Sequence, residues 1–180
     1  MTRLLTRVSD FLHGRKSDAG NATVEFVVVF PVIMMIFFQS FEAGWLMVRY
    51  TMLDRALDIT VRDLRLGHFV NPTADTLRTN ICSLALGISD CQNALMVELV
   101  PVDTTSWNLP SPNATCVNRG ATIQPVTTVT QGTGDEMMII RACAIVDPLF
   151  PGTGLGLDLP KDASGGFALV ATSAFVNEPT

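Results

Sequence analysis

The sequence predicts an α+β protein, in which a long N-terminal helix packs on a small antiparallel β-sheet domain that carries a second, shorter helix. Three observations predict this fold class. An uncharged apolar run covers Phe26 to Phe41, the apolar spacing of a helix continues to Leu66, and segments rich in β-branched residues follow Cys91. We therefore expect the first half of the long helix to cross a membrane and the second half to be amphipathic.

A basic segment precedes the apolar run. Residues 1–20 contain four basic side chains: Arg3, Arg7, Arg15 and Lys16. Their apolar neighbours allow either a short amphipathic helix on the inner membrane surface or a disordered tail. In a secretory signal peptide the apolar region lies before the cleavage site and is removed with it. Cleavage after Gly20 would instead leave the apolar run attached to the mature protein.

The apolar run is long enough to span a bilayer. Phe26 to Phe41 has 16 residues, and extension through Glu42 to Val48 gives 23 residues. At about 1.5 Å per residue this segment measures about 34 Å, against a bilayer core of about 30 Å. The alternative is a core helix of a soluble protein. Consecutive valines and Pro31 favour the membrane, because lipid tolerates both in a helix.

Beyond the span, apolar residues recur at three- and four-residue steps. They are Leu46, Tyr50, Leu53, Leu57, Val61 and Leu64. These residues form an apolar seam along one face of the helix. The seam must be buried, either against the chain's own sheet or against neighbouring subunits. Gly67 is the expected end of the helix. A second helix is predicted from Thr73 to about Leu86, after Asn71 and Pro72.

The later part of the chain has the pattern of β-strands separated by turn residues. Four strands are predicted: Leu95–Val102, Thr122–Thr130, Met137–Val146 and Phe167–Phe175. The third is apolar on both faces, so we expect it at the centre of the sheet. Leu149 to Leu159 is predicted to be a loop or a short helical turn.

All four cysteines follow the span, which indicates that the C-terminal part lies in an oxidising compartment. Charge alone does not decide the orientation, because Arg49, Arg55, Arg62 and Arg65 also follow the span. Three disulfide pairings are open. We favour Cys82 with Cys91, which closes a short loop, and Cys116 with Cys143, which ties a long loop to a strand. A zinc site is the alternative, although the cysteines lack the usual short ligand spacing.

The composition gives little support for catalysis or nucleic-acid binding. The formal charge is −5 with a pI near 4.8, and no cluster of Lys and Arg would neutralise phosphates. His13 and His68 are the only histidines, and neither is accompanied by a triad or ligand pattern. The glycines at 152, 154 and 156 are not followed by the Lys-Ser or Lys-Thr of a phosphate loop. We predict no catalytic residue, cofactor or metal ligand.

The residues around the start of the apolar run carry a family resemblance. Gly20, four further residues, Glu25 and the aromatic Phe26 resemble the leader pattern of type IV prepilins. The sequence from Val24 to Leu46 resembles the TadE-like family of minor pseudopilins from tight-adherence (Flp) pilus systems. The resemblance is strongest from Gly20 to about Leu66, and the final segment from Ala174 to Pro179 also resembles the close of that family. Phe26 stands where the pilus subunits of these systems usually have tyrosine, which favours a minor over a major pilin.

The resemblance implies a role for each of these residues. A prepilin peptidase would cut between Gly20 and Asn21, and Glu25 with Phe26 would serve in assembly. The carboxylate of Glu25 would pair with the new amino terminus of a neighbouring subunit, because an acid at the edge of a bilayer core persists mainly where it has a partner. Alternatively, Glu25 reaches the lipid headgroups. We expect Glu42 to be a wetted boundary residue, with Trp45 and Tyr50 at the outer membrane interface.

The expected protein is a non-enzymatic pilus assembly subunit of the bacterial inner membrane, with a cytoplasmic N-terminus and a periplasmic C-terminal domain. Its parts are a leader (1–20), the long helix (21–67, spanning at about 26–48) and an α+β domain (68–180). Its partners would be the inner membrane, the prepilin peptidase, other pilins and pseudopilins, and platform proteins of pilus assembly, but no nucleic acid. The alternatives are an unprocessed, membrane-tethered periplasmic binding module and a membrane-anchored periplasmic enzyme.

Overall fold

The structure, a computed structural model, describes residues 21–107 and 109–178. The predicted leader and Gly20 lie outside these residues. The elements in chain order are α1 (Asn21–Arg65), α2 (Ala74–Leu84), α3 (Cys91–Ala94), β1 (Leu95–Val102), β2 (Met137–Val146), α4 (Gly154–Asp158) and β3 (Phe167–Val176). The α+β class predicted from the sequence is confirmed. The chain divides into two compact units, Met1–Ser40 and Phe41–Thr180.

The long helix α1 has 45 residues, with Pro31 inside its apolar part. It ends where predicted, because Gly67 adopts a positive φ of 69° that glycine reaches without steric cost. The amide of Gly67 donates to the carbonyl of Leu64 at 3.1 Å, and that of His68 donates to Asp63 at 3.0 Å. These bonds satisfy carbonyl groups that the end of a helix leaves open.

The second helix, α2, is shorter at both ends than its predicted range. Thr73 caps it: the amide of Thr76 donates to the Thr73 hydroxyl at 3.2 Å, and the Thr73 amide donates back to the Thr76 hydroxyl at 2.8 Å. This is a capping box in which threonine takes the place of the usual glutamate. The helix ends at Leu84, and Cys82 joins it to α3 through the disulfide with Cys91.

The sheet has the order β1-β2-β3 with antiparallel neighbours, so β2 is the central strand, as predicted. The predicted strand Thr122–Thr130 is wrong. Its end meets β1 in an isolated parallel bridge between Val129 and Leu99. Pro125 has no amide to donate, and the Gln124 side chain bonds the backbone of Asn118 at 3.0 and 2.9 Å, which closes a local loop in place of a ladder.

The core lies between the sheet, α2 and the second half of α1. Each of these elements contributes fully buried side chains, among them Leu53, Leu57, Leu77, Ile81, Leu99, Ile140 and Ala171. The seam of α1 is therefore covered by the chain's own domain. Tyr50 is 40% exposed and lies outside the seam, whereas Thr60 is buried and donates to the Ala56 carbonyl at 2.8 Å.

On the opposite face of the sheet, the segment between β1 and β2 covers the central strand β2, whereas β3 exposes alternate residues there. Arg141 and Glu98, which face each other across the two strands, form an ion pair at 2.6 Å. The Arg141 guanidinium also donates to the Ser111 carbonyl, and the disulfide Cys116–Cys143 ties the same segment to β2. The two disulfides are those favoured from the sequence.

Candidate membrane anchor

The first half of α1 exposes a continuous apolar surface. Large side chains there are about half to two-thirds exposed, including Phe26, Val28, Val32, Ile33, Ile36 and Phe37. An uncovered apolar surface of this extent marks an interaction with lipid or another protein. Among the described residues, α1 is the one helix that is long and apolar enough to cross a membrane. The predicted span thus lies on a helix that could anchor the protein.

Glu25 and Phe26 lie on the exposed surface at the start of this helix. Glu25 follows Asn21 by four residues, which is about one helical turn. The Phe26 ring stacks on that of Phe30 with centroids 5.0 Å apart. The structure therefore places both predicted assembly residues near the helix N-terminus, whereas Gly20, on the other side of the predicted cleavage site, lies outside the described residues.

Glu42 is buried, with 1% of its surface exposed, so the expectation of a wetted boundary residue is wrong. One carboxylate oxygen accepts a hydrogen bond from the amide of Leu149 at 3.1 Å, and the other accepts one from the amide of Phe150 at 2.9 Å. The chain that leaves β2 returns to α1 and covers this acid. Both backbone donors and both carboxylate oxygens are thereby satisfied.

Arg49 lies two helical turns after Glu42 and is also buried. Its guanidinium donates to the Asp147 carbonyl at 2.8 Å and lies 5.3 Å from the centroid of the Trp45 ring. Burial lowers the pKa of Arg49, and the negative charges of Glu42 and Asp147 oppose that shift. Trp45 is half-buried beneath Arg49.

The burial of these two charged residues was not predicted from the sequence, although a signal for it exists. Glu42, Leu46, Arg49 and Leu53 follow one another at steps of four, three and four residues, which places them on one face of a helix. Leu53 belongs to the core seam. A charged side chain on the same stripe as core leucines indicates a buried and paired group rather than a solvated face.

The segment from 147 to 159, which we call the return loop, follows α1 toward its apolar half. Asp147 is bonded to Arg49, and Phe150 is bonded to Glu42. The Phe150 ring also contacts that of Phe41 edge to face, with centroids 6.4 Å apart. The loop contains α4, the short helical turn expected from the sequence.

His68 is the one histidine in the described part of the chain. His68 is exposed and its imidazole contacts the Asp63 carboxylate at 3.2 Å, while His13 lies outside the described residues. No group of three or more His, Cys, Asp or Glu residues within 21–107 and 109–178 could hold a metal ion. In the glycine-rich loop, Gly156 packs directly on the Phe150 carbonyl, where a Cβ would clash.

Comparison with known families gives one match, which covers most of α1. Residues 20–62 match the family model described as TadE-like protein. This part of the chain is TadE-like. The resemblance predicted from the sequence is thus confirmed over these residues. The TadE-like segment includes Glu25, Glu42 and Arg49 and ends inside α1. No curated protein and no solved structure matches the chain.

Proposed function

We propose that this protein is a minor pseudopilin of a bacterial tight-adherence (Flp) pilus. It is made as a precursor, cut after Gly20 by a prepilin peptidase, and held in the inner membrane by α1. The observation that carries the proposal is the TadE-like match, which begins at Gly20 and continues into an unbroken helix with an exposed apolar first half.

Glu25 is the assembly residue in this proposal. Cleavage frees an α-amino group on Asn21, which has a pKa of about 7.7–8 and is positively charged at neutral pH. The carboxylate of Glu25 on one subunit pairs with that amino group on the next, within the apolar surroundings of packed spans. Support comes from the placement of Glu25 on the exposed surface of α1, about one turn after the new terminus.

The domain from Phe41 onward acts in the periplasm as a structural and binding unit, without catalysis. Two disulfides support an oxidising compartment. Its partners are other pilins and pseudopilins and the platform proteins of pilus assembly, which the TadE-like match implies in general terms.

The first test is the N-terminus of the mature protein. We expect protein purified from wild-type cells to begin at Asn21 when read by mass spectrometry, and protein from cells without the prepilin peptidase to begin at Met1. An intact leader in wild-type cells would favour the unprocessed, membrane-tethered binding module.

The second test replaces the assembly acid. Glu25→Ala should leave the protein in the membrane fraction after alkaline extraction but reduce piliation by about tenfold or more, as expected for loss of a charge pair inside lipid. Glu178→Ala removes an exposed carboxylate outside α1 and should leave piliation unchanged. Normal piliation of Glu25→Ala would contradict the assembly role and favour a contact with headgroups.

A further inference from the structure

The return loop carries an uncharged, partly exposed apolar surface. The ten residues from Pro148 to Leu157 contain no charged side chain, and the charged Asp147 and Asp158 flank them. Leu149 is 40% exposed and Leu157 is 61% exposed. An exposed loop on a surface that faces water ordinarily carries charged or polar side chains.

The contacts of the loop fix its level along α1. Its start is bonded to Arg49, and Phe150 is bonded to Glu42 and contacts Phe41. Eight residues separate Phe41 from Arg49, which is about 12 Å along a helix. After leaving β2, the chain therefore runs back along α1 to the residue at which the apolar run ends.

The loop is held at that level. Both oxygens of Glu42 bond its backbone, and Arg119 bonds the carboxylate of Asp147 at 2.6 Å and the carbonyl of Ile145 at 2.8 Å. Gly156 packs on the Phe150 carbonyl, which folds the loop back on itself. Leu149 and Leu157 are consequently displayed by a fixed turn and not by an open strand.

We infer that the return loop rests in the headgroup region of the same bilayer that α1 crosses. This inference depends on the proposed function only for the anchoring of α1. The return loop covers Glu42, so in this inference the span ends near Phe41 instead of extending to Val48 as predicted from the sequence. A span of about 20 residues fills the hydrocarbon core, and the 20 residues from Ala22 to Phe41 then place the bilayer boundary at Phe41. Apolar side chains on an uncharged turn at that level are buried favourably at the boundary between headgroups and acyl chains.

Lipid is the occupant because Phe150 of the loop contacts Phe41, the last residue of the uncharged apolar run. The second contact with the membrane would restrict the tilt of the domain on the bilayer.

The experiment uses the full-length protein in bilayers of phosphatidylethanolamine and phosphatidylglycerol. Single cysteines are introduced by Leu157→Cys, Ile33→Cys and Leu66→Cys and labelled with the fluorophore NBD. Mass spectrometry must show both native disulfides intact in each variant, and Leu149→Cys replaces Leu157→Cys if they are not. Leu66 is the matched control, since it is a leucine 50% exposed directly after the C-terminal end of α1.

We expect lipids with a shallow nitroxide to quench the label at 157 about twofold more than the label at 66, as for an interfacial segment. Lipids with a deep nitroxide should quench the label at 33. A label at 157 that is as accessible to water as that at 66, with quenching at 33, would overturn the inference and leave the anchor intact.

Two further results of the quenching experiment would also overturn the inference, each for a different reason. A blue-shifted label at 157 that nitroxide lipids do not quench would overturn the inference in favour of a contact between copies of the protein. Absence of quenching at 33 would overturn both this inference and the proposed anchoring.

Discussion

Glu42 is an acid whose two oxygens each accept one backbone hydrogen bond in a buried position. Burial of a carboxylate is costly unless hydrogen bonds and charge replace its hydration. Leu149 and Phe150 supply the bonds, and the nearby guanidinium of Arg49 supplies opposite charge. A residue that looks like a membrane-boundary charge in the sequence therefore attaches the return loop to α1.

Replacement of this acid should loosen the loop. In Glu42→Ala, two backbone amides lose their acceptor, at about 1–3 kcal/mol for each buried donor. We expect the free energy of unfolding in detergent to fall by about 2–6 kcal/mol and the amides of Leu149 and Phe150 to lose protection in hydrogen exchange. Glu178→Ala, which breaks an exposed ion pair, should change the free energy by less than about 1 kcal/mol. Unchanged protection in Glu42→Ala would contradict the assigned contact.

Asp103 gives a prediction for the dependence on pH. Hydrogen bonds from the hydroxyl and amide of Thr105 and from Ser106 lower the pKa of Asp103 to about 2. Since this is below the unfolded value of about 3.9, the stabilisation is fully present above pH 4 and is lost as the pH falls through about 2. An NMR titration should show a carboxyl midpoint near 2 for Asp103. A midpoint near about 3.9, the value in an unfolded chain, would contradict the hydrogen bonds from Thr105 and Ser106 to the Asp103 carboxylate.

Among the larger elements, the two disulfides differ in the length of chain they close. Cys82 and Cys91 are separated by 9 residues, and Cys116 and Cys143 by 27 residues. On the chain-entropy account the longer loop constrains the unfolded chain more, by about 1 kcal/mol. The second bond also fixes the segment after β1 onto the central strand β2.

Removal of each pair tests this difference. We expect the double variant Cys116→Ala and Cys143→Ala to lower the free energy of unfolding by about 1 kcal/mol more than Cys82→Ala with Cys91→Ala, measured by urea unfolding in detergent. Each double variant serves as the control for the other, because both remove two sulfur atoms. Equal losses would indicate that loop length does not govern the stabilisation.

Whether a strand could be predicted depended on where its backbone hydrogen bonds go. β1, β2 and β3 were predictable because their apolar residues alternate or fill both faces, as a sheet with a covered surface requires. The segment around Pro125 has the same β-branched composition. Its hydrogen bonds, however, go to its own loop through Gln124 and Asn118. Composition alone cannot distinguish a segment that pairs in a β-sheet from one that is held in a loop by its own side-chain hydrogen bonds.

For the molecule as a whole, the sequence predicted the long helix and the fold class, since both follow from apolar periodicity along a continuous segment. It did not predict the contact of Glu42 with Leu149, because that contact joins residues 107 positions apart. The candidate assembly residues Glu25 and Phe26 came from a family resemblance, and the structure supports their exposed position. The return loop was recognisable as a loop, but only the tertiary contacts give its level along α1.

The sharing of one helix between an anchor and a core limits how the domain can be separated from the membrane. Leu53, Ala56, Leu57 and Val61 of α1 are all core residues. A protease acting in the exposed stretch from Leu66 to Asn71 would strip these side chains away, so the released fragment would be misfolded rather than shed as a working ectodomain. A secreted, lipid-free version must therefore begin no later than about Phe41, where the compact unit starts.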